Sequence, residues 1–405
     1  PDHSTTPPLH HSKTPKTPRL QDSKTPMLPK LGDLGTWVFP LQPLVLSPTV
    51  SLDDLRKDID AIDSQLIDLL SQRADLVHEV GVIKKKGGLQ IYAPDREDAL
   101  LRKLVEMNQG RLPEKSIRAI YREIMSAALA LEEDLKIAYL GPEGTWTHQA
   151  AIKKFGHSVN YSAHSSFAEV FDDVARRRAD YGVVPIENST EGAVSHTLDL
   201  FVDSPLRICA QILLRIDNNL LSSIPREEIK TLYSHPQVFG QCKNWILRNF
   251  PEADLVEVSS TTKAAHLSRE KASEGAASLG GRLAAELAGL EVIDEAIQDR
   301  ATNTTRFLVI GEKTCPSTGN DRTSILFAVH DRPGSLVAAL QAFDSFEINM
   351  SKIESRPSKQ KDWEYIFYVD LAGHCENEQI ASALEELEKH CSLVKLLGSY
   401  PDSGE

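Results

Sequence analysis

Long apolar runs are missing. No stretch of about 18 apolar residues occurs, so no helical membrane span is expected. A basic excess is missing too. The 45 Lys and Arg face 58 Asp and Glu, a formal charge of −13, and a nucleic-acid surface would need a net basic face. Small anionic substrates stay open, because they need only a local cluster of Arg and Lys. Clustered cysteine is also missing. Cys209, Cys242, Cys315, Cys375 and Cys391 are scattered, with no Cys-x-x-Cys spacing. That pattern points to structural thiols in a reducing compartment and to no zinc site.

What is present divides the 405 residues into segments of different texture, and the length suits two to four domains. Residues 1–50 hold ten of the 22 prolines and repeated Thr-Pro steps. Such a segment buries too little apolar area to offset its ordering entropy, so it is expected to be disordered. It lacks the basic start and apolar core of a signal peptide. Order is expected from Ser51, an N-cap ahead of Asp53 and Asp54. Apolar residues at Leu55, Ile59, Ile62, Leu66, Leu69, Val77 and Val80 then predict one helix over about 53–86. At 1.5 Å per residue it would be about 50 Å long, so another chain is expected to cover part of it. Two shorter helices are predicted over about 94–108 and 113–134.

From Lys136 strand-like and helix-like stretches alternate. Strands are predicted at 137–141, 181–186 and 305–310, with a helix at 237–249, and the alternation argues an α/β fold. Residues 315–321 read as a linker. Beyond it the order strand, helix, strand, strand, helix, strand over 323–400 matches the ferredoxin-like βαββαβ plan.

Charge placement gives the first chemical clue. Arg73 follows Leu69 by four residues, and Lys84 follows Val80 by four. They lie eleven residues apart and share a helix face. Two cations on a buried face need partners. They are either internal salt bridges, or snorkelling stems, or an anion pocket inside a helical bundle. Arg56 lies about 100° around the helix from Arg73, so it does not serve the same pocket of the same chain. Arg96 and Glu97 open the second helix and Glu132 ends the third.

The segments Leu55-Arg56-Lys57-Asp58, Leu69-Leu70-Ser71-Gln72-Arg73, Val80-Gly81-Val82-Ile83-Lys84 and Pro94-Asp95-Arg96-Glu97 resemble the all-helical chorismate mutase family over about 51–135. The resemblance implies an intertwined dimer in which Arg56 acts in trans. Arg73 and Arg96 would hold carboxylates, Lys84 and Glu132 would flank the ether oxygen of chorismate, and Glu97 would bind the ring hydroxyl. Many members carry Gln where this chain has Glu132. A carboxylate must be protonated to donate to an ether oxygen, so mutase activity is expected to fall as pH rises. Ala93 stands where some members have Asp and receives no role.

Pro185-Ile186-Glu187-Asn188-Ser189-Thr190-Glu191-Gly192 puts polar residues directly after a buried strand, where open α/β sheets bind ligands. Gly141-Pro142-Glu143-Gly144-Thr145-Trp146-Thr147, Ser234-His235-Pro236-Gln237, Ser259-Ser260-Thr261-Thr262 and Asn303-Thr304-Thr305-Arg306-Phe307 complete the set. Together they resemble prephenate dehydratases over about 136–312. That implies two α/β lobes arranged like a periplasmic binding protein, with the substrate in the cleft. Thr305 would be nearest the chemistry and Arg306 would place a carboxylate. Thr145, Asn188, Ser189, Gln241 and Thr262 would line the cleft, and Trp146 would pack. No metal or organic cofactor is implied.

Asp331-Arg332-Pro333-Gly334-Ser335-Leu336 and Glu354-Ser355-Arg356-Pro357 resemble the ACT domain that follows prephenate dehydratases, here over about 322–401. The resemblance implies phenylalanine bound at Pro333, Gly334, Ser335, Leu336, Glu354, Ser355, Arg356 and Pro357, with feedback inhibition. The whole reads as a cytoplasmic, multidomain, bifunctional enzyme of phenylalanine synthesis, a homodimer or homotetramer. It would convert chorismate to prephenate, and prephenate to phenylpyruvate. Two alternatives remain at this point: a dehydratase whose helical unit is only a dimerisation arm, and a catalytically dead ligand sensor.

Overall fold

The computed structural model describes residues 51–87, 92–358 and 365–402. The expected disorder of residues 1–50 lies outside them. The chain divides into residues 1–64 and 65–405, and the boundary falls inside the first helix, α1 (Leu52–Gly87).

In the first unit α1 starts as its sequence dictates. Ser51 Oγ accepts from the Asp54 amide at 3.2 Å and donates to Asp54 Oδ2 at 2.7 Å, which satisfies one of the free N–H groups of the first turn. Ile59 and Ile62 are more than half exposed.

The second unit holds the rest. Along α1 the apolar stripe is largely uncovered: Leu66 is 50 %, Leu69 61 % and Leu76 63 % exposed. Helices α2 (Pro94–Met107) and α3 (Glu114–Glu132) follow. Pro94 occupies the first helical position, where its missing N–H costs nothing. Gly81 of α1 is buried against α3: a Cβ there would sit 3.0 Å from Glu132 Cγ.

The chain then builds a first lobe from β1 (Lys136–Leu140), α4 (Trp146–Phe155), β2 (Asn160–His164), α5 (Phe167–Ala175), β3 (Tyr181–Asn188), β4 (Gly192–Ala193), α6 (Ser195–Asp203) and β5 (Arg207–Arg215). It crosses to a second lobe made of β6 (Asn219–Ser222), β7 (Thr231–Ser234), α7 (Pro236–Gln241), α8 (Lys243–Asn249), β8 (Asp254–Glu257), α9 (Thr261–Glu270), β9 (Ala276–Gly280), α10 (Arg282–Ala288) and β10 (Glu291–Asp294). It returns as β11 (Thr304–Gly311). The first sheet has the order β2-β1-β3-β11-β5 with β4 beside β3, and the second has β10-β6-β9-β7-β8. The single helix predicted over 237–249 is two pieces that meet at Cys242, shortly after Gly240.

The last module is β12 (Asp321–Val329), α11 (Ser335–Ser345), β13 (Met350–Pro357), β14 (Tyr365–Ala372), α12 (Glu378–Glu388) and β15 (Cys391–Pro401), in the sheet order β13-β14-β12-β15. This is the expected βαββαβ plan. Strand alternation gives its sheet two buried faces. Ile325, Phe327, Val369 and Leu371 pack under α11 and α12. Leu326, Ala328, Ile366 and Tyr368 share a core with Ile186, Leu198, Ile208, Leu308 and Ile310 of the first lobe. The other face of the first-lobe sheet, with Phe307 and Val309, packs with Phe155 and with Tyr92, which precedes α2. Thus β11 lies between the helical module and the C-terminal module. Gly398 (φ 155°) permits the closest approach at the latter junction, since a Cβ there would lie 2.1 Å from Ile208 O.

Candidate active sites

The interlobe cleft gathers its polar residues from strand ends and helix starts, where backbone groups are left unpaired. Asn188 ends β3 and pairs in register with Thr305 of β11. Both are buried. The Asn188 amide is oriented by its oxygen, which accepts from Thr190 N (2.9 Å), Thr190 Oγ1 (2.6 Å) and Glu191 N (3.1 Å). Its nitrogen therefore faces inward, donating to Thr305 Oγ1 at 2.7 Å and to Asn303 Oδ1 at 2.9 Å. With one lone pair of Thr305 Oγ1 filled by a donor, its own hydrogen is left to donate elsewhere.

The network continues across the lobes. Asn303 Nδ2 donates to Gln241 Oε1 (3.1 Å), which also accepts from Asn218 Nδ2 (3.0 Å), while Gln241 Nε2 reaches Glu191 Oε1 at 3.4 Å. Thr262 lies in the first turn of α9, which Ser260 caps, and its buried Oγ1 has no partner among the described residues. Gly144 faces it from the first lobe with φ +83°; a Cβ on Gly144 would lie 3.0 Å from Thr262 Oγ1. Trp146 packs against Gly281.

Two predicted cleft residues turn out to build the walls. Thr145 Oγ1 caps α4, accepting from His148 N and donating to Leu140 O at 3.0 Å. Ser189 Oγ staples the turn to β11, donating to Thr302 O (2.9 Å) and accepting from Thr304 N (3.0 Å). Asn303, Asn218 and Glu191 were not among the predicted site residues. Asn303 and Glu191 stand inside quoted motifs, while nothing in the local sequence separates Asn218 from an ordinary turn residue.

In the helical module Lys84 Nζ lies 3.2 Å from Glu132 Oε2, with side chains 15 % and 8 % exposed. Arg73 is half-buried and Arg96 exposed. Arg56, in the other unit, is exposed and bonds Asp53 Oδ1 at 3.3 Å.

In the last module a cavity of about 220 Å³ is lined by Gly334, Ser335, Leu336, Tyr365 and Phe367 among others. Gly334 has φ +84° and caps α11, and the buried Ser335 Oγ has no partner within the protein. Pro333 is exposed beside this cavity.

Three family models match consecutive stretches: chorismate mutase type II over 55–133, prephenate dehydratase over 137–315 and the ACT domain over 323–389. A bifunctional chorismate mutase/prephenate dehydratase of Aquifex aeolicus is 44% identical over 355 residues, covering 86% of this chain and 98% of that protein. The enzyme of the same description from Neisseria gonorrhoeae is 44% identical over 85% of this chain and 96% of its own length. The crystal structure of a prephenate dehydratase from Arthrobacter aurescens in complex with L-Phe aligns with a TM-score of 0.62 at 32% identity, over 67% of this chain and 91% of that one. The chain belongs to the bifunctional chorismate mutase/prephenate dehydratase family.

Three groups of expected site residues have other partners within the chain. Arg306 does not face the dehydratase cleft. Successive strand residues point to opposite faces, so Arg306 emerges behind Thr305. There Nη1 donates to Asp370 Oδ2 at 2.6 Å and Nη2 to Tyr400 Oη at 2.7 Å. Burial opposes its charge, but Tyr400, Asp370 and Glu187 outweigh that and raise its pKa. Glu97 does not join Lys84. It pairs with Arg122 and, at 3.2 Å, with Lys154 of α4. Arg122 and Glu132 are ten residues apart on α3, about 15 Å along the helix. Finally, the two ACT motifs do not meet in one chain. Strand β14 separates β12 from β13, a two-strand distance of about 10 Å. Arg356 Nε instead lies 3.4 Å from Asp199 of α6, and Arg356 and Pro357 line a separate cavity with Asp199 and Tyr368. Glu354 and Ser355 lie on the same edge strand.

Proposed function

We propose that the two activities of this bifunctional mutase and dehydratase use two separate sites in the chain. A Claisen rearrangement needs a held conformer and stabilisation of charge at the breaking C–O bond. Lys84 and Glu132 supply the polar pair for the ether oxygen. Arg73 and Arg96 supply cations for the carboxylates of chorismate, and Arg56 serves the pocket of a second copy. The uncovered apolar stripe of α1 supports a dimer. Glu97 is left out of this pocket.

For the dehydratase, the observation that carries the reading is the hydrogen bond from Asn188 Nδ2 to Thr305 Oγ1 at 2.7 Å. It leaves the Thr305 O–H free to donate to the departing ring hydroxyl of prephenate. It also stabilises Oγ1 as charge builds there, the role of a polarising neighbour. The ring C–O bond breaks and the hydroxyl leaves as water, with the net proton drawn from solvent. The bond to the ring carboxylate breaks, carbon dioxide departs, and its electron pair makes the ring aromatic. Thr262 Oγ1 is a free donor for a carboxylate in the cleft.

Phenylalanine fits the Gly334–Leu336 turn, where the start of α11 offers N–H groups to a carboxylate and Tyr365 and Phe367 offer an apolar wall. The L-Phe complex of the related dehydratase supports phenylalanine as a ligand. The free thiols of all five cysteines suit a cytoplasmic enzyme. Purified protein given chorismate, and separately prephenate, should yield phenylpyruvate from both. Turnover of prephenate alone would reduce the helical module to a dimerisation arm. Inhibition of the second reaction by phenylalanine tests the regulatory reading.

A further inference from the structure

Behind the Thr305–Asn188 pair stands a second pair built from the next residues along the same strands. Glu187 precedes Asn188 on β3, Arg306 follows Thr305 on β11, and the two are register partners. Alternation turns both side chains to the far face of the sheet. The C-terminal module meets them there with opposite charges. Lys352 of β13 donates to Glu187 Oε2 at 2.8 Å, and Asp370 of β14 accepts from Arg306 at 2.6 Å. Arg306 Nη1 and Glu187 Oε2 are 3.9 Å apart. The four charges alternate in sign across the junction.

Asp370 is the hub of this cluster. It is 6 % exposed. Besides Arg306 it accepts from Ser324 Oγ at 2.5 Å, and Arg322 Nη1 lies 3.6 Å away. Tyr400 Oη, held by Ser324, takes the other Arg306 nitrogen. Burial alone would raise the Asp370 pKa, but Arg306, Ser324 and Arg322 hold it below the usual carboxylate range. A buried cation with such fixed partners has little freedom, and the backbone that carries it shares that restriction.

We infer that Asp370 of the ACT module is a positioning residue for the dehydratase, fixing through Arg306 the stretch of β11 that presents the Thr305 hydroxyl to Asn188. This rests on the reading of Thr305 as the group nearest the chemistry. The same strand, β14, bears Tyr365 and Phe367 at the proposed phenylalanine cavity. A shift of β14 on effector binding therefore reaches Arg306 without passing through the cleft.

The test compares Asp370→Asn with Thr305→Val, with mutase turnover in the same chain as the control for folding. Asp370→Asn keeps the shape but leaves Arg306 with a neutral partner. The dehydratase kcat should fall by about tenfold with little change in KM for prephenate, since a small misplacement of reacting groups acts on turnover. Phenylalanine should still bind by calorimetry while inhibiting less. Asp370→Glu should recover part of the rate. An unchanged kcat in Asp370→Asn, with Thr305→Val inactive, overturns the inference alone. A Thr305→Val variant that keeps its rate overturns the reading beneath it. Should Asp370→Asn fail to fold, Tyr400→Phe removes only a neutral partner of Arg306. It should lower kcat at constant KM, and no change would count against Asp370.

Discussion

The amide of Asn188 has its oxygen occupied by Thr190 and Glu191, and this fixes which end meets Thr305. A motif can put Asn188 and Thr305 at strand ends, yet their hydrogen bond joins residues 117 positions apart. That contact was therefore invisible in the sequence. Arg306 was misread for a related reason: its neighbour's role was extended to it, although alternate strand residues face opposite ways. Glu132 offers a test at this scale. Glu132→Gln, a neutral donor of the same shape, should keep mutase turnover at saturating chorismate, while Glu132→Ala should lower it by roughly tenfold or more. An Ala variant with unchanged turnover would exclude Glu132 from the ether-oxygen site.

Helices and strands were largely legible because their periodicity is local. The N-cap at Ser51, the long α1 and the βαββαβ order all follow from residues close in sequence. Contacts between elements did not follow. The joint of α2, α3 and α4 shows why, since Glu97, Arg122 and Lys154 come from three helices. There two half-buried cations share one buried carboxylate. Burial and then Arg122 push Lys154 down to about 7. Above that pH the folded chain has released a proton that the unfolded lysine holds until near its ordinary value of about 10.4. Stability therefore rises with pH across that window, and the burden is greatest below it. Thermal midpoints of wild type and Lys154→Met at about pH 6 and about pH 9 should differ most at the lower pH. An equal difference at both would show that Lys154 stays charged throughout.

At the scale of the whole molecule, three modules in order could be read from motif clusters, and the family comparisons bear out that organisation. The docking of the ACT sheet onto the back of the dehydratase sheet could not, because both faces of a doubly buried strand are apolar and carry no label of their partner. The exposed stripe of α1 is the feature that asks for a second copy. Leu69→Glu would place a charge in the middle of that stripe. Sedimentation should then show a smaller species, and mutase turnover should fall by roughly a hundredfold because shared pockets lose their geometry. Dehydratase turnover should persist. An unaltered assembly would mean that α1 is covered by something other than a copy of this chain.

The course of β11 between two neighbours has a genetic consequence. Thr305, Phe307 and Val309 serve one side, and Arg306, Leu308 and Ile310 the other. Losing or gaining one codon within residues 304–311 would turn the side chains beyond that point to the opposite side unless a bulge absorbed the change. A change of length is thus a heavier insult to this strand than a replacement that keeps the character its odd or even position requires.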